Sequence, residues 1–302
     1  MRAKILMVSD SLMGKALLRM CQQTISDIAI AFGHSFVMKD VQLDGPEAVS
    51  LAAEEAQAIL AVLSEASLFK VFDAHIRTTT LELPEGLKDF SLLRVPDFPT
   101  LSCVSPFRPG LDAAVNAARK VLGVAGAREA MVWAVVSGDR ARLWEEAVGK
   151  TASPYALSAP EALPLAAAVA KPLQFPQREH IFLADTASAD LLLGLYRGLS
   201  GAGLSHSIYQ DESRRVHLAG SVPGFTPRLF DALDATVAML DESLGLKKEA
   251  GCLKASVGNV LASGWRAKDM DIEGNAASDE KIAALLGEQI DLAGSLMQRF
   301  PG

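Results

Sequence analysis

A Gly-Lys-Thr triplet, Gly149-Lys150-Thr151, is the first stretch of this 302-residue chain whose residue types suggest chemistry, because such a triplet closes many phosphate-cradling loops. The pattern fails on spacing. The opening glycine of that loop would fall at Trp144, and the residues before the triplet read as helix where the loop needs a strand. Gly198, Gly201 and Gly203 stand in the wrong order for a dinucleotide fingerprint, and neither HExxH nor GxSxG occurs. His34, His75, His180, His206 and His217 are scattered, so each reads as a structural or solvent-facing residue. Cys21, Cys103 and Cys252 are an odd count without clustering, which gives neither a disulfide framework nor a zinc signature. Buried, reduced thiols are the expectation, and they suit a cytoplasmic protein.

The formal net charge of -7 offers no basic excess to recruit nucleic acid or an anionic membrane. It still permits a local anion pocket. MRAKILMVSD and the alanine-rich run Ala162 to Ala170 are both too short to span a bilayer, and the first is too short for a signal peptide's apolar core. With 50% hydrophobic residues, the chain is long enough for one or two packed cores.

Strand and helix patterns alternate from the start. Lys4 to Val8 is an apolar run, and Leu17, Cys21, Ile25 and Ile28 then share a helical face. Ser35 to Val41 reads as a strand, Pro46 to Gln57 as a helix with proline in its first turn, and Ala58 to Leu63 as a buried strand. Alternation of this kind predicts a parallel sheet covered by helices. Thr78 to Gly110 carries five prolines and little periodicity, and reads as a crossing between lobes. Leu111, Val115, Ala118 and Leu122 form a helical stripe with Gly123 placed to end it. Met131 to Val136 and Ile181 to Ala184 read as strands, and Asp139 to Val148 as a helix between them. The chain is mostly helical from Phe230. Ser278 caps a last helix with Asp279 and Glu280 near its positive end and a stripe of Ile282, Leu286, Ala293, Leu296 and Phe300.

One longer pattern remains. AGSVPG (Ala219 to Gly224), followed by DALDATVAMLDESLGLKKEAGCLKASVGNVLASGWRAKDMD and SDEKIAALLGEQI, resembles the C-terminal part of the isopropylmalate/isocitrate dehydrogenase family in order and spacing. The resemblance implies an α/β, isopropylmalate dehydrogenase-like fold: two α/β lobes around a central mixed sheet, with an active-site cleft between them. Residues 1–76 with 200–302 would form the nucleotide-side lobe and 77–199 a dimerisation lobe. It also implies a cytoplasmic homodimer using NAD(P) and Mg²⁺ or Mn²⁺.

Carried over residue by residue, the resemblance is selective. FDAHIRTTTLELP and KDFSLLRVPD place Arg77 and Arg94 on substrate-binding arginines, and two guanidinium forks suit a small dicarboxylate. DTASADLLLG places Asp190 on the first aspartate of a metal-binding run, but the second falls on Gly194, which has no side chain to coordinate an ion. VVSGDRARLW puts Arg140 where the family has a catalytic lysine and Arg142 where it has asparagine; arginine stays protonated and cannot readily relay a proton. No tyrosine lies between Met1 and Lys150 to match the family's catalytic one. At the cofactor end, Asp10 and Gly14 survive from an N-terminal turn. Gly220, Ser221 and Pro223 survive from the adenosine loop, while Ala219 and Gly224 replace its histidine and aspartate. Glu161, near a partner-subunit aspartate, reads as a surface carboxylate. Arg77 and Arg94 as carboxylate ligands, with Arg140 and Asp190 as the remnant catalytic positions, then predict a divergent carboxylate-binding protein without metal-dependent hydride transfer. The alternatives are retained oxidative decarboxylation of a 2-hydroxy acid such as isopropylmalate, isocitrate or tartrate, and a noncatalytic partner of an intact dehydrogenase.

Overall fold

The computed structural model describes residues 1–43, 46–84, 100–106, 111–128, 130–136, 141–152, 160–201, 203–211, 213–220, 222, 224–270 and 274–299. Its strands are β1 (Arg2–Ser9), β2 (Ser35–Gln42), β3 (Ala58–Val62), β4 (Ile76–Glu82), β5 (Leu101–Pro106), β6 (Met131–Val136), β7 (Glu161–Pro164), β8 (His180–Leu183), β9 (Leu204–Gln210), β10 (Arg215–Ala219), β11 (Trp265–Ala267) and β12 (Asn275–Ala277). The helices are α1 (Leu12–Phe32), α2 (Pro46–Glu55), α3 (Glu65–Leu68), α4 (Leu111–Arg128), α5 (Ala141–Ala152), α6 (Leu165–Gln174), α7 (Thr186–Ser200), α8 (Leu229–Ala238), α9 (Lys247–Ala262) and α10 (Asp279–Arg299), with a π-helical turn over Met239–Ser243.

Local chemistry explains these elements. Ser11 caps α1 by accepting the Gly14 N–H, and Gly33 ends it at φ 71°, a left-handed conformation that costs glycine no Cβ clash. β1 and β3 are runs of apolar residues buried on both faces, whereas the edge strand β2 is partly exposed throughout. Ser278 caps α10 as its sequence predicts, and Ile282, Leu286 and Ile290 are buried beneath it, but Leu296 is half exposed rather than part of the stripe. α4 continues past Gly123 to Arg128. A glycine inside a helix costs about 1 kcal/mol relative to alanine, and burial of Ala114, Ala118 and Val121 against β5 and β8 outweighs that.

Ten strands form one sheet in the order β2-β1-β3-β10-β9-β4-β5-β8-β6-β7. The expectation of a parallel sheet is half correct. β2, β1, β3 and β10 run parallel, as do β5, β8, β6 and β7, but β9 and β4 are antiparallel to both their neighbours. The two parallel blocks therefore point in opposite directions. β4 and β5 both fall in the proline-rich stretch that reads as an irregular crossing. They are instead the centre of the sheet, and the register Arg77↔Ser105 to Leu81↔Leu101 fixes their pairing.

Each parallel block is packed by apolar residues, with Leu17, Cys21, Ile25, Leu233 and Leu286 on one face of β1 and β3, and Val49, Ala52 and Phe72 on the other. The seam between the blocks buries Leu81, Leu101 and Leu204 but also carries polar contacts. Thr79 pairs with Ser207 and Thr80 with Ser102 across neighbouring strands. Arg197 on α7 donates both Nη groups to Asp231 on α8, at 2.9 and 2.7 Å, and Asp231 also accepts the Ser205 N–H at 2.9 Å. Burial pushes Asp231 up, but Arg197, Arg228 and that backbone donor outweigh it and hold the carboxyl below the usual carboxylate range. Nearby, His206 Nδ1 meets Asp234 at 2.7 Å. Burial works against a charge on His206, yet Asp234, Glu82 and Glu242 together raise the imidazole above its ordinary 6.5.

Two outcomes follow from these buried charges. Asp231→Ala strands Arg197 in the core and is expected to lower the unfolding free energy by about 3–5 kcal/mol in urea titrations. Because the folded state holds the His206 proton more tightly than the unfolded chain, its contribution is complete below pH 6.5 and is lost as pH rises through the raised value. Urea midpoints should decline over that interval in the wild type, with a shallower slope in His206→Gln.

Candidate active-site cleft

Arg77 is the second residue of β4 and lies on the face it shares with its cross-strand neighbours Tyr209 on β9 and Ser105 on β5. Its side chain is 1% exposed. A guanidinium this far from water needs compensating charge, and two carboxylates from opposite sides of the seam supply it. Arg77 Nη1 donates to Glu65 Oε1 at 3.2 Å, while Nη2 donates to Asp190 Oδ1 and to the Thr186 carbonyl at 3.4 Å.

Each partner is held by its own local geometry. β3 ends at Val62, and Ser64 then caps the four-residue helix α3, accepting the Ser67 N–H at 3.2 Å. Glu65 is the first residue of that helix. Its Oε1 also accepts the Tyr209 hydroxyl at 2.9 Å, and Phe69, one turn on, meets the Tyr209 ring edge-on at 6.0 Å. Asp10, at the end of β1, accepts the Ser64 N–H at 2.9 Å and so steadies the same turn. On the other side, Asp185 caps α7 through the Ser188 N–H at 3.0 Å, which places Asp190 a little over one turn inside the helix.

The electrostatics follow from this arrangement. Burial opposes charge on Arg77, and Tyr209, Asp190 and Glu65 outweigh it, so the guanidinium remains charged. Burial also pushes the Asp190 carboxyl up. Arg77 pulls it back and the neighbouring Glu65 and Asp185 push it further, leaving it above the ordinary carboxylate value. Tyr209 is raised by burial, so its hydroxyl stays protonated and acts as a donor to Glu65. Burial likewise raises the Cys103 thiol to about 12, which leaves it un-ionised and without nucleophilic character at neutral pH.

Two residues predicted from sequence, Arg77 and Asp190, are therefore in direct contact. Arg77 already carries two internal carboxylates, so it is not an open fork. Asp190, expected as a remnant catalytic position, holds the Arg77 guanidinium. Glu65 and Tyr209 were missed, and only the capping serine Ser64 hints at the first. Arg94, Arg140, Ser221 and Pro223 lie outside the described residues. Glu161 is an exposed carboxylate paired with Lys171 at 3.5 Å.

The residues do not fit the metal that the sequence resemblance implies. Asp190 is engaged by Arg77, Gly194 offers no ligand, and among the described residues no group of three or more His, Cys, Asp or Glu could hold an ion. Packing does not demand the glycine, since a Cβ at Gly194 would meet nothing within 4 Å. The cofactor positions are occupied by structural tasks. Asp10 serves the Ser64 turn, and Gly220, at φ 59°, lets its loop lie against Pro227, whose Cα would stand 2.7 Å from an added Cβ. Neither residue shows a group fitted to a nucleotide. Among the described residues no helix is long and apolar enough to cross a membrane.

No family model and no curated protein matches the sequence. Among solved structures, the chain is similar to the isocitrate dehydrogenase from Methylococcus capsulatus. The two share 14% identity with a TM-score of 0.74, over 96% of this chain and 99% of that one. At that identity the likeness is one of fold, and the molecule has the isocitrate dehydrogenase-like α/β architecture over nearly its whole length.

A double-mutant cycle on Arg77→Ala and Asp190→Ala, read by urea unfolding, tests whether the contact is direct. A coupling energy above about 1 kcal/mol is expected for residues in one buried network, whereas independent residues give additive losses.

Proposed function

We propose that this protein binds a small carboxylate in the cleft between its two strand blocks and does not carry out metal-dependent hydride transfer. The observation that carries the reading is the Arg77–Asp190 contact. It brings the resemblance's substrate arginine and metal aspartate against each other and pairs both Nη groups of the guanidinium with the chain's own carboxylates. In the oxidative decarboxylation that the resemblance implies, a bound cation polarises the developing carbonyl, and among the described residues no group of three or more donors is placed to hold it. On this reading the blocks formed by 1–76 with 200–302 and by 77–199 act as two lobes, and the ligand enters by exchange.

Exchange is chemically reasonable because one carboxylate replaces another on the same fork. Asp190 is the partner to be displaced, since burial and two neighbouring carboxylates already disfavour its charged form. A ligand carboxylate would take its place on Nη2 while Glu65 keeps Nη1. Support for a second reading, retained NAD(P)-dependent oxidation, comes from the fold match over nearly the whole chain. The two readings separate cleanly by absorbance.

Incubation with malate, isopropylmalate, isocitrate or tartrate, NAD⁺ or NADP⁺, and Mg²⁺ or Mn²⁺ is expected to produce no reduced nicotinamide. Calorimetry with the same acids should detect binding. Asp190→Asn, which removes the internal competitor's charge, should tighten that binding by about tenfold. Reduced-cofactor formation would overturn the non-redox reading, and an absence of binding in both wild type and Asp190→Asn would overturn the carboxylate reading.

A further inference from the structure

The end of the sheet carries a second concavity that the Arg77 network does not use. Tyr209 faces Glu65; Gln210, the next residue of β9, faces the other side, as strand geometry requires. There a cleft of about 230 Å³ opens where β3 and β10 begin and β9 ends. Gln57, Gln210, Ser213, Arg214, Arg215 and Ser243 line it beside the apolar Ala56 and Ile59, and among the described residues Glu242 is its one acidic wall residue. Six hydrogen-bonding side chains around so small a space make an unusually polar lining.

The charges within it are unequal. Arg214 Nε is paired with Asp211 at 3.4 Å. Asp211 is itself committed to the β9–β10 turn, accepting the N–H groups of Ser213 and Arg214 at 2.7 and 2.6 Å. Arg215 has no ion pair among the described residues, and its Nη1 donates to the neutral backbone carbonyl of Glu242. That bond fixes the guanidinium without neutralising it. The carbonyl belongs to the π-helical turn, a rare backbone form that is frequent at functional sites, and Ser243 in the same turn meets His217 Nε2 at 2.8 Å. Gln57 spends its carbonyl oxygen on the Lys4 N–H and one N–H on the Glu55 carbonyl, so what it has left for a ligand is a donor.

We propose that this cleft binds the phosphate group of a small molecule, with Arg215 as its principal contact. Guanidinium, carboxamide and hydroxyl donors surround the space on several sides, which suits the oxygens of a tetrahedral anion better than the single edge of a planar carboxylate. The site does not depend on the carboxylate reading of the Arg77 cleft.

Inorganic phosphate, titrated calorimetrically into the full chain at low ionic strength, is the probe. Wild type is expected to bind it and Arg215→Gln to lose about tenfold or more in affinity, the worth of a charged hydrogen bond. Gln57→Glu, which keeps an acceptor for the Lys4 N–H but adds a like charge to the ligand, should lose a similar factor. It provides a second test should Arg215→Gln disturb the π-helical turn, which circular dichroism and urea midpoints would reveal. No binding by wild type, or unchanged affinity in both Arg215→Gln and Gln57→Glu, overturns the proposal. Equal affinity for malate that Arg215→Gln abolishes overturns the phosphate assignment.

Discussion

A guanidinium with 1% of its surface exposed, set into the middle of a sheet, constrains everything built around it. Leaving such a charge unpaired would cost several kcal/mol, so the fold must bring carboxylates to Arg77 from elements that have no other reason to meet. Glu65 comes from the first parallel block and Asp190 from the second. Their meeting on one side chain joins the two halves of the molecule across the seam.

The same logic recurs along that seam. Arg197 and Asp231 join α7 to α8, His206 and Asp234 join β9 to α8, and hydroxyl pairs link β4 to β9 and β5. Apolar packing also crosses the seam, since one buried cluster holds Ile5 and Leu60 of the first block together with Leu81, Leu101 and Phe182. Hydrophobic contact is non-directional and tolerates sliding, whereas a two-pronged arginine–carboxylate pair tolerates little displacement. A seam that also holds the second kind of contact sets the relation of the blocks closely. It also makes that relation sensitive to any ligand that competes for a partner. On the proposed reading, a carboxylate binding at Arg77 would act on that joint.

The likeness to an isocitrate dehydrogenase extends over the whole chain in shape but is slight in sequence. A scaffold of this kind can persist while its chemistry changes, because backbone topology depends on burial pattern and turns, and catalysis depends on a handful of side chains. Gly194 illustrates the difference: nothing in the packing around it calls for a glycine, and its effect is on what the helix can ligate.

The sequence by itself determined what depends on near neighbours. Helical periodicity identified α1 and its buried face, the apolar runs identified β1 and β3, and Ser278 marked the start of α10, because capping and amphipathic burial are settled within a turn or two of chain. The order and spacing of the C-terminal segments were enough to suggest the architecture. Only the tertiary structure decided that β4 and β5, hidden among prolines, are central strands, and that α4 runs through Gly123. It alone set Arg77 against Glu65, which sits 12 residues away, and Asp190, which sits 113 away, and brought Tyr209 to Glu65 across 144 residues. Those contacts follow from strand order and register, which are fixed by the packing of the whole sheet. No local window of residues carries that information.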